Sequence, residues 1–186
     1  MATDIALFKN QGSLFFRKIS KRGEAKNDDC DGFLLDMDEK EARKTIDFLK
    51  CKNKKVAVIA GDDEFNRRVV ETLKIDYLVS PENNSIKDSL KQRASGMNHV
   101  IAEIAKKKNI QIVEDLTWLN NLQGKKKAIA ISRVIQNVKI CRKSNCQIKI
   151  ATFAKQKEEL FDQKQMTAIA FSFQMSSQQA KNAYIF

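Results

Sequence analysis

The chain has 186 residues, 42% of them hydrophobic, and 34 lysines and arginines against 23 aspartates and glutamates give a formal net charge of +11. That length suits one sizeable domain over residues 1–186, and no apolar run approaches the roughly 18–20 residues of a membrane span. The opening MATDIALFKNQG lacks the basic-then-apolar plan of a secretory leader, and Cys30, Cys51, Cys141 and Cys146 are too scattered for a zinc ribbon. Reduced thiols, a cytoplasmic location and no membrane partner are the resulting expectations.

Asp4 to Phe8 reads as a first strand, and Gly12-Ser13 as the start of a short helix with Leu14, Phe15 and Ile19 inward. The polar run Lys26 to Asp31 is a loop before a second strand, Gly32 to Leu35. Asp38 can cap a helix over Glu39 to Lys50, whose inward residues Ala42, Ile46 and Leu49 keep helical spacing. Val56 to Ala60 is continuously apolar, as a parallel strand covered on both faces must be. Gly61-Asp62-Asp63 turns it into a helix with Phe65, Val69 and Leu73 on one side. Asp76 to Val79 is the next strand, ended by Ser80-Pro81.

Residues 82–96 are polar and irregular, with a turn of helix expected at Lys87 to Gln92. Beyond Gly96 a helix places Met97, Val100, Ile101 and Ile104 on one face and His99, Glu103 and Lys106 on the other. Ile110 to Val113 is a strand. A long helix from about Gly124 to Lys143 carries an apolar stripe of Ile131, Val134, Ile135, Val138 and Cys141, with Lys125, Gln136, Lys139 and Lys143 opposite. A strand at Gln147 to Ala151, a helical segment at Lys155 to Phe161 and a last strand at Ala168 to Phe171 follow. Ser176 and Gln179 form a capping box for a closing helix. Such alternation predicts an α/β fold: a small distorted TIM-type (β/α) barrel of about seven mostly parallel strands.

The sequence holds a single histidine, His99, so a metal centre built on several histidines is excluded by count. No GxGxxG follows the first strand, and neither a GKS/GKT phosphate loop nor a GxSxG elbow occurs. Asp36, Asp38, Asp62 and Asp63 follow strands, where helix capping and solvation account for them more simply than magnesium. Binding remains. The charge excess favours polyanions, through phosphate neutralisation and counterion release. Lys106, Lys107 and Lys108 close one helix, where the dipole welcomes cations. Lys125, Lys126 and Lys127 open another, where it does not, and an anionic ligand would explain them. With Arg93, His99 and Lys139 these six lysines form the candidate RNA- or partner-contact set.

Asp76-Tyr77-Leu78-Val79-Ser80-Pro81, then Gly96-Met97-Asn98-His99-Val100-Ile101-Ala102, then Lys107-Lys108-Asn109-Ile110 resemble the protein component 3 family of archaeal ribonuclease P. Lys139 to Lys143 and the closing Gln174-Met175-Ser176 with Gln179-Ala180-Lys181 resemble its later segments. The resemblance implies a barrel related to a metal-hydrolase superfamily but lacking its metal site, with no cofactor. It implies a non-catalytic subunit that pairs with protein component 2, as heterodimer or heterotetramer, and meets ribonuclease P RNA, other ribonuclease P protein subunits and, indirectly, precursor tRNA. The motif histidine maps to His99, the strand-entry lysine to Lys107 or Lys108, and a basic helix-opening position to Lys127. Ala151-Thr152-Phe153-Ala154 replaces the family's small-residue turn, and Glu159 to Asp162 lacks its arginines and proline. Family members usually continue past Phe186. The competing readings are a degenerate barrel hydrolase and a general basic RNA-binding barrel.

Overall fold

Among the described residues seven strands lie side by side in chain order, every neighbouring pair parallel: β1 (Ile5–Ala6), β2 (Leu14–Ile19), β3 (Gly32–Leu35), β4 (Lys55–Ile59), β5 (Tyr77–Val79), β6 (Gln111–Asp115) and β7 (Ile148–Ala151). The computed structural model of the chain describes residues 2–25, 29–89 and 93–186. Residues just beyond β7 return to β1. Phe153 N donates to Ile5 O (2.8 Å), Leu7 N to Ala154 O (2.7 Å), and Ala6 and Ala154 form a parallel bridge. Thr152 fastens the same seam, its Oγ1 donating to Asp4 Oδ2 at 2.6 Å. The sheet therefore curls into a barrel closed by a short, side-chain-assisted joint.

Alternate strand residues build two cores. Ile5, Phe16, Leu34, Ala57, Tyr77, Val79, Val113 and Phe153 fill the interior, while Phe33, Val58, Leu78, Ile112 and Ile150 meet the helices outside. Phe16, Tyr77 and Phe186 stack edge-to-face, with centroids 5.9 Å apart in each pair. The barrel is thus a packed core rather than a channel.

The helices are α1 (Glu39–Cys51), α2 (Asp63–Thr72), α3 (His99–Lys107), α4 (Leu116–Asn121), α5 (Gly124–Ser144), α6 (Gln163–Ser172) and α7 (Ser177–Asn182). Asp38, Asp62, Asn98, Asp115, Asp162 and Ser176 each cap one, accepting a backbone N–H from within the first turn. Between β2 and β3 the described residues hold only a 3₁₀ turn, Arg22–Glu24.

Two expected elements are replaced. Residues 14–19, read as a helix, are strand β2. LFFRKI satisfies both periods, and the barrel selects period 2, with Phe16 against the Cα of Gly32, where a Cβ would lie 2.5 Å from the ring. Residues 168–171, read as a strand, lie within α6, started by a capping box of Asp162 and Gln165 and packed through Met166 and Ala170. The two errors cancel in the strand count. Smaller corrections concern helix faces. Val100, expected inward, is 47% exposed, because Met97, Ile101, Ala102 and Ala105 form the buried face of α3. Ile131 and Ile135 are only half-buried, and Arg133 and Asn137 take the inward places on α5. Lys87 to Ser89 is irregular, while the remainder of the turn expected there, and Lys26 to Asp28 of the earlier loop, lie outside the described residues.

Candidate nucleic-acid interface

The segment between β5 and α3 is held by its own backbone chemistry. Ser80 adopts φ +52 and Gly96 φ +69, and a Cβ on Gly96 would sit 1.9 Å from Pro81 O. Only glycine allows that approach. Asn66 Nδ2 donates to Gly96 O (2.9 Å), and Asn98 Oδ1 accepts from Ile101 N to start α3. The Ser80-Pro81 and Gly96-x-Asn98 motifs are therefore a knot that ties both ends of one loop.

Arg133 grips the loop's middle. Its Nε and Nη2 meet Asp88 Oδ1 at 2.9 and 2.8 Å, Nη1 donates to Glu82 O (3.1 Å) and Asn84 O (3.2 Å), and Nη2 also donates to Ile86 O. Its side chain is 7% exposed. Behind it Glu82 and Glu114 face each other in the interior, with Asn137 Nδ2 3.4 Å from Glu114 Oε1. Burial, and for Glu82 the neighbouring Glu114 carboxylate as well, pushes both above the usual carboxylate range. Both Glu82 carboxylate oxygens and Glu114 Oε2 are buried without a hydrogen-bond partner among the described residues, an arrangement that favours the uncharged form. None of these residues is among the candidates that the sequence singles out. The signal for them is the i, i+4 pair Arg133 and Asn137, two polar residues in register with Val134 and Val138.

The gripped loop forms one wall of a cleft of about 590 Å³, whose other walls are α4 and the opening turns of α5. Trp118, Leu122, Ile129 and Ile86 line it, with Lys125 and Lys126 at its edge. Gln123 offers no side-chain cap to α5, and the first turn holds no acidic residue. Lys127 turns away, its Nζ 3.4 Å from Asn120 Oδ1.

The remaining candidates lie elsewhere. His99 is exposed at the start of α3, with Nδ1 3.3 Å from Ser144 Oγ on α5. Arg93 and Lys139 are exposed as well, and Gln136 of α5 donates to Arg93 O and to Ser95 Oγ. Lys106 and Lys107 are exposed at the end of α3, while Lys108 Nζ donates to Glu71 O and so closes α2. At 1.5 Å per residue, Lys125 and Lys139 stand roughly 21 Å apart along α5. Lys125, Lys126 and Lys139 are thus exposed on α5 and His99, Lys106 and Lys107 on the neighbouring α3, while Lys108 and Lys127 are engaged with Glu71 and Asn120.

At the C-terminal rim of the barrel, Asp38 and Asp62 cap helices and Asp36 pairs with Lys18 at 2.8 Å. Asp115 caps α4, and burial pushes it up to about 6. Among the described residues, no group of three or more His, Cys, Asp or Glu is placed to hold a metal ion. None of the four cysteines is in a disulfide.

No family model matches the chain. A curated relative does: ribonuclease P protein component 3 of Methanococcoides burtonii is 26% identical over 125 residues, 67% of this chain and 48% of the relative. The chain is similar to that component 3 over two thirds of its own length. It spans about half the length of that relative. The fold matches a chain in the cryo-EM structure of archaeal ribonuclease P with mature tRNA at a TM-score of 0.74, over 97% of this chain and 85% of the other, at 20% identity. The same architecture recurs in an amidohydrolase at TM-score 0.61 and 9% identity, over 88% of this chain and 43% of that one. It recurs again in an Arabidopsis N6-mAMP deaminase at 0.56 and 8%, over 92% and 52%. Those likenesses concern the barrel. No helix among the described residues is long and apolar enough to cross a membrane.

Proposed function

We propose that this chain is a protein subunit of ribonuclease P that binds the catalytic RNA together with protein component 2 and supports removal of 5′ leaders from precursor tRNA. The sequence match to component 3 carries the reading. The exposed Lys125, Lys126 and Lys139 of α5 and His99 and Lys106 of α3 supply contact groups for RNA or a partner subunit. The chain contributes binding rather than chemistry: its one histidine sits on the outside of α3, and of its rim aspartates Asp38 and Asp62 cap helices and Asp36 pairs with lysine.

Cleavage of precursor tRNA by ribonuclease P RNA with component 2, measured with and without this chain, tests the proposal. Stimulation is expected. No gain on adding the chain sinks it, and cleavage by the chain without RNA would restore the hydrolase reading. Replacing Lys125, Lys126 and Lys127 by alanine should weaken RNA binding and flatten its dependence on log salt, the slope falling by up to about 0.9 for each duplex phosphate that a lysine no longer neutralises.

A further inference from the structure

We infer that the cleft between α4, the start of α5 and the 82–88 loop is a binding site for an unpaired nucleotide, its base against Trp118 and Ile129 and its phosphate between Lys125 and Lys126. The inference rests on the RNA-binding reading above and names where, and in what form, RNA is taken.

Size comes first. About 590 Å³ falls in the range of small-ligand sites and leaves room for a nucleotide. The walls are apolar where the chain has no reason of its own to leave them so. Ile86 is 45% exposed and Ile129 36% exposed, two of the few large hydrophobic side chains left in solvent. The cleft is also set before anything enters it, because Arg133 fixes the backbone at Glu82, Asn84 and Ile86. A rigid wall spares the ligand the ordering cost of a loop.

Charge then selects the occupant. Neither Lys125 nor Lys126 has an ion pair or hydrogen bond among the described residues; of the two acidic residues lining the cleft, Asp88 is taken by Arg133, and Glu82 is buried, which raises its carboxyl above the usual range. An occupant must therefore combine a flat or apolar body with negative charge. A splayed nucleotide has that combination: the base stacks on an aromatic ring and the phosphate meets lysine. A duplex would present phosphates to the lysines but leave Trp118 and Ile129 uncovered, since its bases are paired and stacked.

Trp118 is the only tryptophan, so its fluorescence reports this cleft alone. The full chain is titrated with a short single-stranded oligoadenylate, with an RNA duplex of equal length, and with an acidic peptide containing leucine and phenylalanine. Binding is followed in parallel by anisotropy of the labelled probe. The single strand should quench Trp118 along the same curve that anisotropy traces, and the duplex should leave the emission unchanged. The double variant Lys125→Ala/Lys126→Ala should weaken single-strand binding roughly tenfold, and Ile129→Ala by roughly fivefold; all three positions are solvent-exposed, and circular dichroism checks the fold of both variants. Single-strand binding without quenching, or binding that neither variant weakens, overturns the cleft assignment and leaves the RNA-binding reading standing. Quenching by the peptide but not by RNA makes the cleft a protein-docking site and overturns the inference. Failure of every RNA probe to bind removes the broader reading as well.

Discussion

Replacing Arg133 by methionine keeps most of the apolar stem and removes the group that holds residues 82–88. The guanidinium makes four hydrogen bonds besides its ion pair to Asp88 at 2.8 Å. Breaking a buried pair by deleting one partner costs about 3–5 kcal/mol when the other charge stays dry. Here Asp88 is 26% exposed and can regain water, so its share is smaller. Glu82 O lies in the buried part of the network and stays unpaired, which costs about 1–3 kcal/mol, whereas Asn84 O and Ile86 O are only partly buried. The expected loss is about 2–4 kcal/mol, a large share of a typical domain's stability. Equilibrium urea unfolding measures it. Amide exchange at Ala94, whose N–H bonds Asp88 Oδ1 at 2.9 Å, reports the loop directly and should accelerate. A loss under about 1 kcal/mol with Ala94 still protected would show that the loop holds itself and that the clamp is incidental.

Stability should also depend on pH through Asp115. Its folded value, about 6, exceeds the ordinary 3.8, so its contribution is fully present below about pH 4 and is lost as pH rises through 6. That rise corresponds to about 3 kcal/mol less stability at neutral pH, and the burial that raises Glu82 and Glu114 acts in the same direction. Asp115→Asn, which keeps an oxygen for Trp118 N, should be more stable than the parent at pH 7.5 and show a flatter pH profile in urea; a less stable variant refutes the assignment. Gly96→Ala should cost about 3 kcal/mol or more, since a Cβ would meet Pro81 O at 1.9 Å and φ is +69; a melting temperature within a degree or two of the parent's would show that the knot relaxes cheaply. His99→Ala should leave the melting temperature nearly unchanged while lowering stimulation of precursor-tRNA cleavage, because the residue is exposed and, among the described residues, its ring hydrogen-bonds only to Ser144 Oγ. A melting drop of several degrees would make His99 a structural residue.

Much of the architecture was legible in the amino-acid order alone. Val56 to Ile59 and Ile112-Val113 are apolar on both faces because each lies between the barrel interior and the helix layer. Asp38, Asp62 and Ser176 marked their helices because capping is a local bond between a side chain and the first turn. Where local signals were balanced, tertiary packing chose. Leu14 to Ile19 could have been helix or strand, and the place between β1 and β3 made it a strand; Ala168 to Phe171 became helix because Met166 and Ala170 had a helix-facing surface to cover. The cleft was beyond the reach of pattern. Lys125 and Lys126 stood out as cations at a helix start, but Trp118, Ile86 and Arg133 come from three separate segments that only folding brings together. Arg133 and Asn137 sit in an apolar stripe and take their meaning from Glu82, Ser95 and Glu114, which reach them from the β5–α3 loop and from β6. Composition and periodicity act between near neighbours and so determined the barrel and its basic charge; the choice of which charged residues are buried, and which face a cleft, depended on contacts between residues dozens of positions apart.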